Sequence, residues 1–441
     1  MKLLSKLIIF SLLYHCSFDT KSGIWKNENI SKELKKNPLS EFKTLSSSRE
    51  SFNSEVNKKS NLKILISKKI NNLQWNDEFY NSSNNYDNFE YTELNKLSFK
   101  SKKLSRHKLH KSILFQSDNL VLNDEKGNII IYSLKEKKIL RKFNFYRKKL
   151  KNIKKNLNLF IDENIIYVSD NIGYLYAYNL KINKIVWAKN YKIPFRSNLK
   201  IYKDKLIAVS QNNNLFFFNK HTGTILREIP TEENTIKNNF VNNLSLNDNK
   251  TFFLNSFGSL YAINNQTMRV SWFVNLNQSL DFSKSSLFSG NQVINYKDKI
   301  VVSSNKFIYI LDALTGTILF KKNFTSIIKP IISEDNLFLI SKNNLLICLN
   351  IVNGEISYSY NINKKIADFL KTKERRVYFK NIFLINNSIY IFLKNSFLLK
   401  FDLDGVLKNI TKLPLKLNSD PILINKSILY LDRKNRLSVV N

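Results

Sequence analysis

The sequence predicts an all-β fold, an eight-bladed propeller of four-stranded blades, and three observations carry that expectation. The first is a repeat of roughly 44 residues, the length of one propeller blade. It is clearest in ENIIYVSDNIGYLYAYNLKINKIVW, ending at Trp187, and in NKTFFLNSFGSLYAINNQTMRVSW, ending at Trp272. In both copies the Trp falls 14 residues after a Gly, Gly173 or Gly258, that precedes a GxLYAxN strand. The second is the period-2 alternation of apolar and polar residues in stretches such as IYVSD and LYAYN, which fits strands and not helices. The third is turn chemistry: Gly or Asn before one strand and TG, NG or DG after it, where hairpins need positive φ.

Taken in order, the repeats start at Asp118, Glu163, Asp204, Asp248, Asp298, Asp335, Asn387 and Asn425, spaced by 37 to 52 residues. That gives eight units on a constant scaffold with loops of varying length. The chain has only 9 Gly, so Asn183, Asn213, Asn214, Asn343 and Asn344 are expected to replace glycine in the turns. The Trp position is expected to pack over the neighbouring blade. Around the ring it reads Arg141, Trp187, Arg227, Trp272, Phe320 and Tyr358, so Trp187, Trp272, Phe320 and Tyr358 are the candidate blade-docking residues. The final unit has only three strand-like pieces, PILIN, SILYLD and RLSVVN. An open edge there would invite pairing with other chains. The β-like segment FEYTELNKLSFKS at 89–101 is therefore expected to supply the missing outer strand and clasp the two ends of the chain.

The region before the repeats is of another kind. Lys2 and Lys6, an apolar run from Leu7 to Leu13 and then Cys16 read as a short export signal. The run is too short for a membrane span, which needs about 20 apolar residues. A Cys directly after it is the pattern of a lipoprotein, with Cys16 lipidated, although His15 stands where a small residue is usual. Residues 1–15 are thus read as the signal, 16–74 as a polar, flexible tether, and 75–441 as the propeller.

Enzymatic chemistry finds little footing. The two Cys, Cys16 and Cys348, are far apart, and Cys348 lies in the apolar strand LLICLN as a buried thiol would. His15, His107, His110 and His221 show no metal-ligand clustering, so no metal is expected. There is no phosphate-binding Gly-rich loop and no GxSxG motif. The formal net charge of +35 comes from 70 Lys and Arg against 35 Asp and Glu. Most aromatics fall on alternating strand positions, where core packing explains them, so nucleic acid is not expected as a partner. The excess charge reads mainly as solvated surface, with attraction to anionic head groups or an acidic partner surface left open.

The start CSFDTKSGIW at 16–25, the polar tether and eight GxLYAxN…W repeats together resemble the BamB-type lipoprotein of the outer-membrane β-barrel assembly machinery, in its α-proteobacterial form. The resemblance implies a non-catalytic scaffold without a cofactor, anchored by lipid at the periplasmic face of the outer membrane. Its implied partners are the barrel-inserting subunit and, at exposed strand edges, unfolded outer-membrane protein strands. It also implies a docking loop between the fourth and fifth blades, here SSLFSGNQ at 285–292, with Leu287, Phe288 and Gly290 as partner-binding residues. Ser289 departs from the Arg common there. The alternatives are a periplasmic quinoprotein-like ligand-binding or dehydrogenase-type propeller, or a polyanion-binding one.

Overall fold

A computed structural model describes the strands Cys16–Asp19 and Ile24–Asn27, residues 51–59, 62–150, 152–233 and 241–277, Gly290, and residues 292–441. The chain divides into two units, Met1–Glu50 and Ser51–Asn441. In the first, Cys16–Asp19 pairs antiparallel with Ile24–Asn27, Cys16 opposite Asn27 and Asp19 opposite Ile24.

The second unit holds eight sheets, each built from four consecutive antiparallel strands except at the closing blade and in blade 7, which gains a short fifth strand. Blades 1 to 7 span residues 114–144, 157–190, 200–229, 243–275, 294–322, 331–361 and 379–412. Blade 2 shows the pattern: Leu157–Asp162 innermost, then Ile165–Asp170, Tyr174–Asn179 and the outer Lys184–Asn190. The burial follows from the alternation in the sequence. Second and third strands, such as Ile165–Asp170, are almost wholly buried between neighbouring blades, while the outer strand Lys184–Asn190 is mostly exposed. The expected repeat starts coincide with the turn between the first and second strands, so each blade begins one strand earlier than the repeats suggest. Asp118 and Glu163 occupy that turn at φ 63° and 51°.

Blade 8 confirms the clasp. It contains Ile422–Ile424, Ser427–Leu431 and Leu437–Val440, and its outer strand is Leu97–Lys100, paired Val439 to Phe99 and Ser438 to Lys100. No sheet edge is left where the two ends of the chain meet.

Each turn between the second and third strands has one left-handed position, except in blade 5, where none of residues 304–307 is left-handed. Gly173 fills it at φ 106°, Asn213 at 69° and Asn344 at 61°. Asn183 is likewise left-handed, at φ 54°, in the next turn of blade 2. Asn214 and Asn343 flank that single position and keep ordinary backbone angles, which corrects the expectation that they too replace glycine.

The four aromatics expected to dock the blades each face a glycine that the sequence reading overlooked. Trp187, Trp272, Phe320 and Tyr358 all lie opposite the residue before a bulge in the pairing of the third and outer strands. Each ring covers a glycine in the following blade. A Cβ on Gly223 would meet Trp187 at 2.5 Å, and one on Gly316 would meet Trp272 at 2.6 Å. One on Gly354 would meet Phe320 at 2.5 Å, and one on Gly405 would meet Tyr360 at 2.6 Å before Tyr358 at 2.9 Å. The last junction is thus shared by two stacked tyrosines, their ring centroids 5.2 Å apart. The indole N–H of Trp187 donates to the Lys220 carbonyl at 2.9 Å, and that of Trp272 to the Ala313 carbonyl at 3.3 Å. Where the docking position is Arg141 or Arg227, the turn before the outer strand of the next blade has no glycine: Asn183 and Met268 hold its left-handed position. Aromatic and glycine therefore occur together or not at all at these junctions.

Candidate functional site

The antiparallel order puts the turns between second and third strands on one face, together with the connections from each outer strand to the next inner strand. This is termed the upper face. The centre of the ring opens on it, and the inner strands would line a channel there. That channel is filled by the chain itself.

Residues 72–89 run round the inside of the ring and bond to the inner region of every blade in turn. Asn72 donates to the Leu423 carbonyl of blade 8 at 2.8 Å. Trp75 exchanges both backbone hydrogen bonds with Phe115 of blade 1, at 2.7 and 2.9 Å. The Asn76 carbonyl accepts from Ile161 of blade 2 at 2.8 Å, and Lys200 of blade 3 pairs with Asp77. The carbonyls of Ser82 and Ser83 accept from Leu246 of blade 4 and Asn295 of blade 5, at 2.9 and 3.1 Å. Asn85 bonds both ways with Ile332 of blade 6, at 2.8 and 3.0 Å. Asn88 and Phe89 then add a short parallel strand to blade 7, opposite Leu384 and Ile385. The Asn-rich stretch suits this role because inner strands offer backbone groups that must find partners once water is excluded.

Between these bonds the plug is aromatic. Trp75, Tyr80, Tyr86 and Phe89 are buried against one another, and all but Tyr80 meet Phe383 of blade 7. The closest ring centroids are Tyr86–Phe383 at 4.5 Å and Trp75–Tyr80 at 4.7 Å.

Two lysines are buried against the plug. The Lys200 ammonium pairs with Asp77 and donates to the Asn81 carbonyl and to Asn84 Oδ1, each at 2.6 Å. Lys329 sits 3.2 Å above the centroid of the Tyr86 ring and donates to the carbonyls of Phe79 and Asn84, at 3.0 and 2.7 Å. Burial pulls both lysines below the ordinary lysine range, against the opposing attraction of Asp77. Burial likewise pushes the Tyr80 and Tyr86 hydroxyls far above their usual range. Glu78 points into the mouth of the channel, accessible to water yet ringed by protein. Desolvation, with Asp420 and Asp77 adding like charge, raises its carboxyl to about 7. A cavity of ≈ 200 Å³ remains beside it, lined by Trp75, Tyr86, Lys329, Lys380 and Asp420. A second, of ≈ 560 Å³, opens over blades 1 and 2 among Lys108, His110, Lys154, Lys155 and Glu125.

The expected partner loop joins blades 4 and 5 on the upper face. Leu287 and Phe288 lie outside the described residues, and Gly290 is exposed. The loop is anchored at both stems. Leu276 is buried and its carbonyl accepts from the Tyr309 hydroxyl at 3.0 Å, while the Val293 carbonyl accepts from Asn84 at 2.8 Å. Cys16 belongs to the first unit, in the short strand pair described above. Cys348 is fully buried, and burial pushes its thiol up to about 12, so it is no nucleophile. Among the described residues no group of three or more His, Cys, Asp or Glu is placed to hold a metal ion. Among them, too, no helix is long and apolar enough to cross a membrane.

Residues 51–59 and 62–74, expected to belong to the tether, are laid against the propeller. Phe52 donates to the Asn323 carbonyl at 2.9 Å, and Val56 pairs with Ser359 on the outer strand of blade 6. Lys58 reaches Asp404 of blade 7 at 2.5 Å, and Ser67 donates to Ser333 at 2.8 Å. The polar composition of this run concealed isolated β-bridges and side-chain bonds, which have no period to read.

Ring, repeats and glycine-docked aromatics define the class: a quinoprotein-like repeat propeller. The family model described as "Outer membrane protein assembly factor BamB" matches residues 147–360. The match spans a little under half of the chain and falls within the repeats. Among solved structures it is similar to BamB from Moraxella catarrhalis, 13% identical with a TM-score of 0.62, covering 78% of this chain and 99% of that one. A quinohemoprotein alcohol dehydrogenase from Comamonas testosteroni is also similar, 9% identical with a TM-score of 0.59, covering 83% and 80%. So is the computationally designed Ika8 protein, 12% identical with a TM-score of 0.55, covering 77% and 99%. At these identities the likenesses concern the fold. No curated protein matches the sequence.

Proposed function

We propose that this protein is a non-catalytic docking scaffold of outer-membrane β-barrel assembly, held by a lipid on Cys16 at the periplasmic face of the outer membrane. The match of residues 147–360 to the BamB family model carries the reading. The filled channel supports it. A planar quinone does not fit an axis packed with Trp75, Tyr80, Tyr86 and Phe89, and no carboxylate cluster for a metal lies among the described residues. A dehydrogenase of this shape would have to displace part of its own core.

The loop between blades 4 and 5 is the proposed contact for the barrel-inserting subunit, through Leu287, Phe288 and Gly290. A short apolar pair on a loop with fixed stems can enter a pocket of a partner at little entropic cost. Exposed outer strands, such as Val270–Asn275 with Phe273 exposed, offer edges to which unfolded barrel strands can add. Affinity purification from detergent-solubilised envelopes is the test. The barrel-inserting subunit is expected to co-purify, and its absence would overturn the reading.

A further inference from the structure

We propose that the connection between blades 6 and 7 is a membrane-contacting tip that inserts its apolar end into an anionic lipid surface. It is built on helix α1, Ile362–Leu370, capped by Asn361, whose side chain accepts from the backbone of Asn363 and Lys364. Ile362, Asn363 and Ala367 are buried against the propeller, which fixes one face of the helix. The other end projects. Lys371 turns left-handed at φ 51°, and the chain returns only at Val377, which donates to Asn363 Oδ1 at 3.2 Å. Everything from Asp368 to Arg376 is exposed.

The composition of that projection is what a lipid interface selects. Phe369, Leu370 and Tyr378 are 46%, 50% and 60% exposed, large apolar and aromatic groups held in water. Lys371, Lys373, Arg375 and Arg376 surround them, against only Asp368 and Glu374. Among the described residues none of the four cations makes an ion pair, and Arg376 lies 5.7 Å over the ring of Tyr378. An apolar pair bounded by unpaired cations gains on both counts at an anionic surface, by burying the apolar groups and by attraction to head groups. Long basic side chains and a tyrosine at the boundary keep their polar ends in the head-group layer.

The entry of the chain is consistent with this orientation. The described run beginning at Ser51 reaches the same connection: Glu55 accepts from the Asn361 backbone at 2.9 Å and lies 3.4 Å from Lys364. The first described residues of the second unit therefore lie beside the foot of α1. The proposal does not depend on the barrel-inserting subunit, so either can fail alone.

The test uses the full chain with Cys16→Ser, which removes any acyl group, and Leu370→Cys labelled with an environment-sensitive fluorophore. Cys348 is buried and stays unlabelled in the native protein. Vesicles of phosphatidylcholine containing phosphatidylglycerol are expected to shift the emission to the blue, and pure phosphatidylcholine vesicles are not. Converting Lys371, Lys373, Arg375 and Arg376 to Gln is expected to weaken binding on the order of a thousandfold, given about one kcal/mol per basic residue near such a surface. In unlabelled protein, Phe369→Asp is expected to reduce co-sedimentation with the same vesicles. The proposal is overturned if the protein sediments with anionic vesicles but the label does not shift. It is equally overturned if heparin, a soluble polyanion, shifts the label as much as the vesicles do, because the tip would then bind acidic partners without entering lipid.

Discussion

Gly316→Ala should damage the junction between blades 4 and 5 far more than an exposed turn substitution ordinarily does. Gly316 stands at φ +79°, and a Cβ there would lie 2.6 Å from two ring carbons of Trp272. The left-handed backbone alone costs an alanine about 1–2 kcal/mol. The indole must also retreat by roughly 1 Å to reach van der Waals separation. If that uncovers about 50–80 Å² of a ring that buries ~150–250 Å², another ~1–2 kcal/mol is lost. The sum is about 2–4 kcal/mol. In a Trp272→Ala background no ring is displaced, so Gly316→Ala should cost only its backbone part. The double-mutant cycle should therefore show a coupling of about 1–2 kcal/mol. Eight blades need not unfold in one step. Urea titration by circular dichroism should accordingly be joined to amide exchange in Val270–Asn275 and Ile308–Asp312, the strands flanking the contact. Equal costs of Gly316→Ala in both backgrounds would refute the aromatic–glycine account of blade docking.

The channel gives two further predictions. Asp77→Ala leaves the buried Lys200 ammonium without its counter-charge, so stability should fall by about 3–5 kcal/mol, measured by urea titration, with Lys200→Met in the same chain restoring much of it. Glu78 titrates near 7 in the folded protein against an ordinary 4.5, so the folded state keeps a proton in that window which the unfolded chain has released. Its contribution is therefore favourable at low pH and lost as pH rises through 7. Glu78→Gln should raise the melting temperature more at pH 8 than at pH 5, and an equal change at both would contradict this.

The ring was legible because each blade repeats its alternation and its turns, and the closing strand because three strands in the last unit demand a fourth. Trp187 and Trp272 were legible from their fixed distance after Gly173 and Gly258, and Phe320 and Tyr358 from the same place in the repeat. Their partners Gly223, Gly316, Gly354 and Gly405 were read only as turn formers, since sequence does not show which blade a ring overlies. Tyr360 escaped for the same reason. The plug was hidden more completely. WNDEFYNSSNNYDNFE has no period, and its work is done by asparagine side chains and backbone carbonyls reaching residues 40 to 299 positions away. The one local signal was aromatic density in a polar stretch, at Trp75, Tyr80, Tyr86 and Phe89. At the candidate contact, Leu287 and Phe288 stand on resemblance alone, because they fall outside the described residues.

The most direct measurement is the binding of the purified protein to the periplasmic domains of the barrel-inserting subunit, by titration calorimetry, for the native chain and for Leu287→Asp with Phe288→Asp. The scaffold reading predicts saturable binding by the native protein and its loss in the double variant, with the circular dichroism spectrum unchanged. Binding that survives the double variant would remove the loop between blades 4 and 5 from the account. No binding by the native protein would contradict the docking function itself.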